Sequence, residues 1–298
     1  MEDFSRRHLL TAGAAAALPF AAGAATKPGG TQVIERQELL AGKVAVVYGA
    51  AGSMGGAVSR AFAQAGAHVE LAGHTFEKVD AIARELSKGG ARARAVKVDA
   101  LERESVEKHL EDVVRTHGRI DISFNLIGLG DAQGALLASM KAADFAQPIE
   151  TAMRTQFVTT TAAAHHMVKA RSGVILALTA QVARKPYEAS GGFGVACAAI
   201  EALCRQLAVE LGPQGVRVVA LRSAGSPDAP GVSAAIAEHA KVAGVSREAF
   251  EARIAEKTML RRMPRMAEVA NAAVLMASDQ ASAVTAAVLN LTCGEIAD

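Results

Sequence analysis

Residues 43–56, KVAVVYGAAGSMGG, constrain the fold of this chain more than any other stretch. Residues 43–48 form a short β-branched apolar run of the kind that fills a strand buried on both faces, and the run stops at Gly49. From Met54 onward the pattern is helical. A strand, a glycine turn and a helix therefore follow one another directly. Gly49, Gly52 and Gly55 let the backbone turn tightly and approach a ligand closely. The helix behind them presents free N–H groups and the positive end of its dipole, which suits a pyrophosphate. A glycine motif alone is weak, but one set between strand and helix in a βαβ-length segment reads as a dinucleotide-binding loop that includes Ser53 and Met54.

The alternation continues along the chain. Strand patterns fall at 68–72, 93–98, 120–127, 174–180, 216–221 and 286–291. Helix patterns fall at 54–65, 77–87, 106–116, 149–170, 193–211 and 267–276. Strands and helices alternating at this spacing predict an α/β fold, a Rossmann-type doubly wound parallel sheet of about seven strands in a single domain. Residues 227–257 break the rhythm with Ala-rich and charged helical segments, where a substrate lid over the strand ends would be inserted.

At 298 residues and 51% hydrophobic content the chain can bury a large core. A net charge of +2 with scattered basic residues argues against a nucleic-acid footprint or an anionic-membrane patch. Cys197, Cys204 and Cys293 lack metal-ligand spacing, and the first two lie about two helical turns apart, roughly 10 Å, too far to bridge. No metal and no disulfide are expected. Near the N-terminus, Arg6 and Arg7 precede an Ala/Gly-rich apolar stretch that runs to Ala25. Residues 1–25 read as a twin-arginine export signal, residues 26–40 as a linker, and the fold is expected from residue 41. The expected location is periplasmic or secreted, or cytoplasmic if the signal is not used. A stable membrane anchor is not expected, because Gly13, Pro19 and Gly23 interrupt an apolar stretch already short for a span.

Residues 41–298 resemble the short-chain dehydrogenase/reductase family. Tyr48-Gly49-Ala50-Ala51-Gly52-Ser53-Met54-Gly55 is similar to its TGxxxGxG loop, with Tyr for Thr and Ser53 at the middle glycine. Asp99-Ala100 matches the adenine-contacting position, and Asn125-Leu126-Ile127-Gly128 resembles the NNAG strand end. Leu207-Ala208-Val209-Glu210-Leu211, Gly215-Val216-Arg217-Val218, Arg262-Met263-Pro264, Ala277-Ser278-Asp279 and Val284-Thr285 fit the C-terminal half. The resemblance implies a dinucleotide at the strand ends, with Asp99 near the adenine and Asn125 and Gly128 beside its ribose. It also implies a small-molecule substrate and a homodimer or homotetramer formed through the helices at 149–170 and 193–211.

The family's proton-transfer residues do not carry over. Its Asn, Ser, Tyr and Lys positions fall on Ala152, Ala180, Phe193 and Cys197. A rival register makes Tyr187-Glu188-Ala189-Ser190-Gly191 the YxxSK motif, with Gly at the Lys position. Phe193 has no proton to give, and losing a positioned acid costs about 10² to 10⁴ in rate. Thr179 and Tyr187 are the weak candidates for a replacement. His165 and His166 on a long helix, and Arg184 and Lys185 in a loop, have ordinary structural roles open to them. At the end of the second strand no Asp or Glu is present to hold a ribose 2′-hydroxyl, and His74 stands where NADP-preferring relatives often carry Arg, which favours NADP with NAD possible. Two readings remain open: an oxidoreductase acting on a carbonyl, alcohol or imine by an altered proton path, and a non-catalytic dinucleotide-binding protein.

Overall fold

The computed structural model describes residues 38–297. The expected export signal and most of the expected linker lie outside the described residues. The first strand, β1 (Val44–Tyr48), is buried at every position, as its unbroken apolar run requires. There follow α1 (Ser53–Gln64), β2 (His68–Gly73), α2 (Phe76–Lys88), β3 (Arg92–Lys97), α3 (Arg103–His117) and β4 (Ile122–Asn125). The second half runs through α4 (Ala142–Ala170), β5 (Gly173–Ala180), α5 (Gly191–Leu211) and β6 (Val216–Ser223). It closes with α6 (Pro230–Val242), α7 (Arg247–Glu256), α8 (Met266–Ala277) and β7 (Ala287–Leu291).

The seven strands form one sheet in the order β3-β2-β1-β4-β5-β6-β7, and every pairing is parallel. Because side chains alternate along a strand, each strand feeds two cores. Ala45 and Val47 of β1 join Val58 and Phe62 of α1, Val79 of α2 and Ala273 of α8 on one face. Val44, Val46 and Tyr48 join Leu110 of α3, Ala163 of α4 and Ile200 of α5 on the other. The strand order reverses between β1 and β4, so their carboxyl ends flank the switch point where open α/β sheets take ligands. One helical stretch among the described residues, Gly191–Gln214, is long and apolar enough to cross a membrane. It is a core helix here, with Ala196, Ile200 and Cys204 buried.

Three boundaries differ from those read in the sequence. Leu40 is 0% exposed, and its N–H donates to the Ala65 carbonyl, so packing begins before residue 41. The helix expected from 149 starts at Ala142 and holds Pro148 inside it. An interior proline costs about 3 kcal/mol and usually ends a helix. Pro148 is buried, though, and lies against the first turn of α5, where a Cβ on Gly192 would come 2.9 Å from its ring and 2.0 Å from the Phe145 oxygen. That contact offsets the lost helical bond. The strand expected at 120–127 shrinks to β4 because Asn125 Oδ1 accepts the Ile127 N–H at 3.0 Å and turns the chain.

A buried charge cluster fixes β2 to β3 and α3. Glu70, 1% exposed, accepts from Arg94 Nε at 2.8 Å and lies 2.8 Å from His117 Nε2. Burial alone would raise its pKa, but His109 Nε2 at 3.8 Å, the hydrogen bonds from His117 and Arg94 and the Arg94 charge together outweigh that and hold it below the usual 4.5. A carboxyl depressed on folding stabilises the protein above its unfolded pKa, and the contribution is lost as pH falls through the folded value. The urea midpoint should therefore drop between about pH 6 and pH 3, and Glu70→Gln should start lower at pH 6 but lose less over that interval. An acid limb equally steep in the variant would contradict this role.

Candidate active site

The glycine loop opens from the carboxyl end of β1. Gly49 takes φ +71°, and a Cβ there would sit 2.6 Å from the Leu126 oxygen, so the loops after β1 and β4 touch. Gly52 occupies the N-cap of α1 with no side-chain cap, and the first turn carries no acidic residue. Gly52 and Ser53 are exposed and Met54 is half-buried. The leading N–H groups of α1 are thus left for an anion, and the loop fits a phosphate group. Gly55 differs from its sequence reading as a residue that leaves room for the ligand. A Cβ on it would lie 2.2 Å from the Gly49 oxygen and 2.8 Å from the Ala50 Cα, so its missing side chain makes room for the loop's own backbone.

The other cofactor candidates line the same edge. His74 is exposed between the end of β2 and Thr75, which holds the N-cap of α2. Asp99 is half-buried; its Oδ1 accepts the Leu101 N–H at 3.0 Å and its own N–H donates to Ser105 Oγ at 3.1 Å. Ala100 beside it is 8% exposed. The Asn125 side chain, expected beside a ribose, is committed inward: it is 4% exposed, and its Nδ2 donates to Thr159 Oγ1 at 3.1 Å. Gly128 is exposed with open space where a Cβ would be.

Ala180 ends β5, Phe193 stands in the first turn of α5, and Cys197 lies one turn further along that helix. Cys197 is 2% exposed, and burial pushes its thiol up to about 12. Ala152 on α4 is 0% exposed. None of the four can exchange a proton near neutrality. Thr179 does not meet a substrate either, being 4% exposed and donating to Glu201 Oε1 at 3.0 Å. Helix α5 begins at Gly191, so Tyr187 precedes it on a loop. Its hydroxyl donates to Gln133 Oε1 at 3.3 Å. His165 and His166 pack edge to face near the end of α4, and Arg184 is exposed.

Residues 49–295 match the family described as enoyl-(acyl carrier protein) reductase. The chain belongs to the short-chain dehydrogenase/reductase family. It is 31% identical over 257 residues to cis-4-hydroxycyclohexanecarboxylate dehydrogenase of Sinomonas cyclohexanicum, covering 86% of this chain and 98% of that one. It is 28% identical to the 3-oxoacyl-[acyl-carrier-protein] reductase FabG of Thermotoga maritima, covering 86% and 98%. The crystal structure of sorbitol-6-phosphate 2-dehydrogenase SrlD from Erwinia amylovora superposes with a TM-score of 0.80 at 26% identity, covering 85% of this chain and 100% of that one.

Around the cleft of this short-chain dehydrogenase/reductase lie polar groups that sequence reasoning missed. Gln133, between β4 and α4, accepts at Oε1 from Tyr187 and lies 2.8 Å from His239 Nε2 of α6, while its Nε2 donates to Asp131 Oδ2 at 2.6 Å. An ionised carboxylate only accepts, so Asp131 fixes the amide orientation, and His239 must donate through Nε2–H. Glu295, beyond β7, reaches Lys185 Nζ at 3.4 Å. Below the cleft, Glu201 of α5 holds Arg222 of β6 in a two-pronged ion pair at 2.8 and 2.7 Å. One signal for that pair was available: an arginine in the apolar run 216–221 and its continuation demands a buried partner.

Proposed function

We propose that this chain is an NADP-using oxidoreductase that moves hydride to or from a small molecule at the strand ends, by a proton path other than the family's Tyr and Lys. The observation that carries this reading is the open N-terminus of α1 behind the Gly49–Gly55 loop, uncapped and free of acidic side chains. Gly52, Ser53 and Met54 would hold the pyrophosphate through backbone N–H groups, and Asp99 and Ala100 would border the adenine. Exposed His74, with no carboxylate beside it at the end of β2, suits a 2′-phosphate, so NADP is preferred over NAD. Bound there, the nicotinamide supplies a hydride equivalent. The decisive experiment incubates the protein anaerobically with NADPH and a panel of carbonyl and imine compounds and follows the nicotinamide absorbance. Turnover of one class supports the reading. Neutral ketones should run about 10² to 10⁴ slower than with a positioned acid.

A second reading, a dinucleotide-binding protein without turnover, is favoured by one observation: the four proton-transfer positions hold no group that titrates near neutrality. Binding with no oxidation across the whole panel would select it.

We further propose a homodimer or homotetramer built on α4 and α5, where Phe157, Val195 and Val209 are 52%, 45% and 72% exposed. Light scattering should return a dimer or larger at micromolar concentration, and a monomer throughout would contradict it. Export through the twin-arginine signal places the working protein outside the cytoplasm. Replacing Arg6 and Arg7 with Lys should retain it in the cytoplasmic fraction, and wild-type protein found wholly there with its N-terminus intact would overturn the assignment.

A further inference from the structure

We propose that the cleft beside Tyr187 and Cys197 takes a substrate that arrives already cationic, an iminium ion, held by the Asp131 and Glu295 carboxylates. The inference rests on the hydride-transfer reading above and names its substrate class.

The argument begins with the missing proton. Reducing a neutral carbonyl leaves charge on oxygen that an acid must quench. Ala152, Ala180 and Phe193 offer none, and Cys197 is a buried thiol. The remaining hydroxyl, Tyr187, already donates to Gln133. Burial, and then the negative charges of Asp131 and Glu295, make its proton harder to release. An iminium needs no acid. Its carbon accepts hydride from the reduced dinucleotide, which leaves oxidised; the new C–H bond forms as the C=N π pair retires onto nitrogen, and no proton changes hands.

The cleft also has groups that would hold such a cation. Glu295 is 10% exposed along its side chain, and its Oε2 is buried with no hydrogen-bond partner among the described residues. A buried carboxylate oxygen left so is costly, and a cation or N–H donor would satisfy it. Asp131 adds a second negative charge on the same side: its Oδ2 accepts from Gln133, whose Oε1 accepts from Tyr187, while Lys185, two residues before that tyrosine, reaches Glu295. The opposing charge at Glu295 is Lys185, about half exposed. His239 donates to Gln133, and burial lowers its pKa, which keeps it neutral. The Tyr187 ring meets His239 edge to face at 5.4 Å, and His239 stacks on Phe250 at 6.2 Å. Aromatic faces beside carboxylates suit an organic cation.

The experiment uses the full chain. Titration of NADPH by its fluorescence comes first, and absence of binding would overturn the hydride-transfer reading and this inference with it. With dinucleotide bound, calorimetry then compares N-methyl-1,2,3,4-tetrahydroisoquinoline, cationic at neutral pH, with the neutral isostere 2-methyltetralin, and absorbance compares N-methyl-3,4-dihydroisoquinolinium with 2-tetralone. The cation should bind at least about tenfold tighter than the isostere, as expected for hydrogen bonds to a charged group. The iminium should be reduced at least about 10²-fold faster than the tetralone. Glu295→Gln and Asp131→Asn should each weaken the cation about tenfold with NADPH affinity unchanged, which also shows the variants folded, and Glu295→Asp should restore binding. If NADPH binds but the cation binds no tighter than the isostere, or the tetralone is reduced as fast as the iminium, the substrate class is wrong while the hydride-transfer reading stands.

Discussion

Glu201→Ala should destabilise the protein by about 3–5 kcal/mol, the usual cost of removing one partner from a buried ion pair. Arg222 and Glu201 are 5% and 6% exposed along their side chains, and the carboxylate also accepts the Thr179 hydroxyl at 3.0 Å. Deleting it leaves the Arg222 charge in the core without that counter-charge, and Thr179 keeps only the longer bond to the Leu221 carbonyl at 3.5 Å. Urea unfolding should show a lower midpoint at an unchanged slope. Replacing the pair together, Glu201→Leu with Arg222→Leu, should recover most of the loss, because two apolar side chains need no partners. A single variant as stable as wild type would contradict this account. The pair also matters to the site. Glu201 lies one turn beyond Cys197 on α5, and Thr179 precedes Ala180 on β5, so the network underpins the cleft floor.

Gly55→Val should remove dinucleotide binding by dismantling its loop. The added Cβ would meet backbone on both sides, the Gly49 oxygen at 2.2 Å and the Ala50 Cα at 2.8 Å, and neither is a flexible side-chain end that can swing away. Overpacking of this kind costs about 1–3 kcal/mol in stability. Moving the loop also withdraws the N–H groups of α1 from the phosphate, so affinity should fall about 100-fold, roughly 2.7 kcal/mol. Gly212→Ala, where nothing lies within 4 Å of the new methyl, should leave affinity unchanged. Equal loss in both variants, or no loss in Gly55→Val, would contradict the role given to Gly55.

The sheet and the glycine loop were legible because their signals are local. An apolar run marks β1, and glycines spaced along 49–55 mark the turn. The first two turns of α4 were hidden by Pro148, whose breaking tendency is overridden by packing against α5. Counting from flanking motifs puts the family's proton-transfer positions on Ala152, Ala180, Phe193 and Cys197, and the last three lie at the end of β5 and in the first two turns of α5. What counting could not give was the replacement environment. Gln133 and His239 are 106 residues apart in sequence and meet only because the loop after β4 and the helix α6 after β6 come together at the carboxyl ends of two strands that flank β5. Tyr187 shows the opposite case: YEASG imitates a helical motif locally and offered a rival register, yet α5 starts at Gly191 and leaves the tyrosine on the loop before it.

Calorimetric titration of purified wild-type protein with NADP and with NAD tests the central claim most directly. The account predicts saturable binding at one site per chain, tighter for NADP than for NAD and about 100-fold weaker in Gly55→Val. Absence of heat and of saturation with either dinucleotide would contradict it.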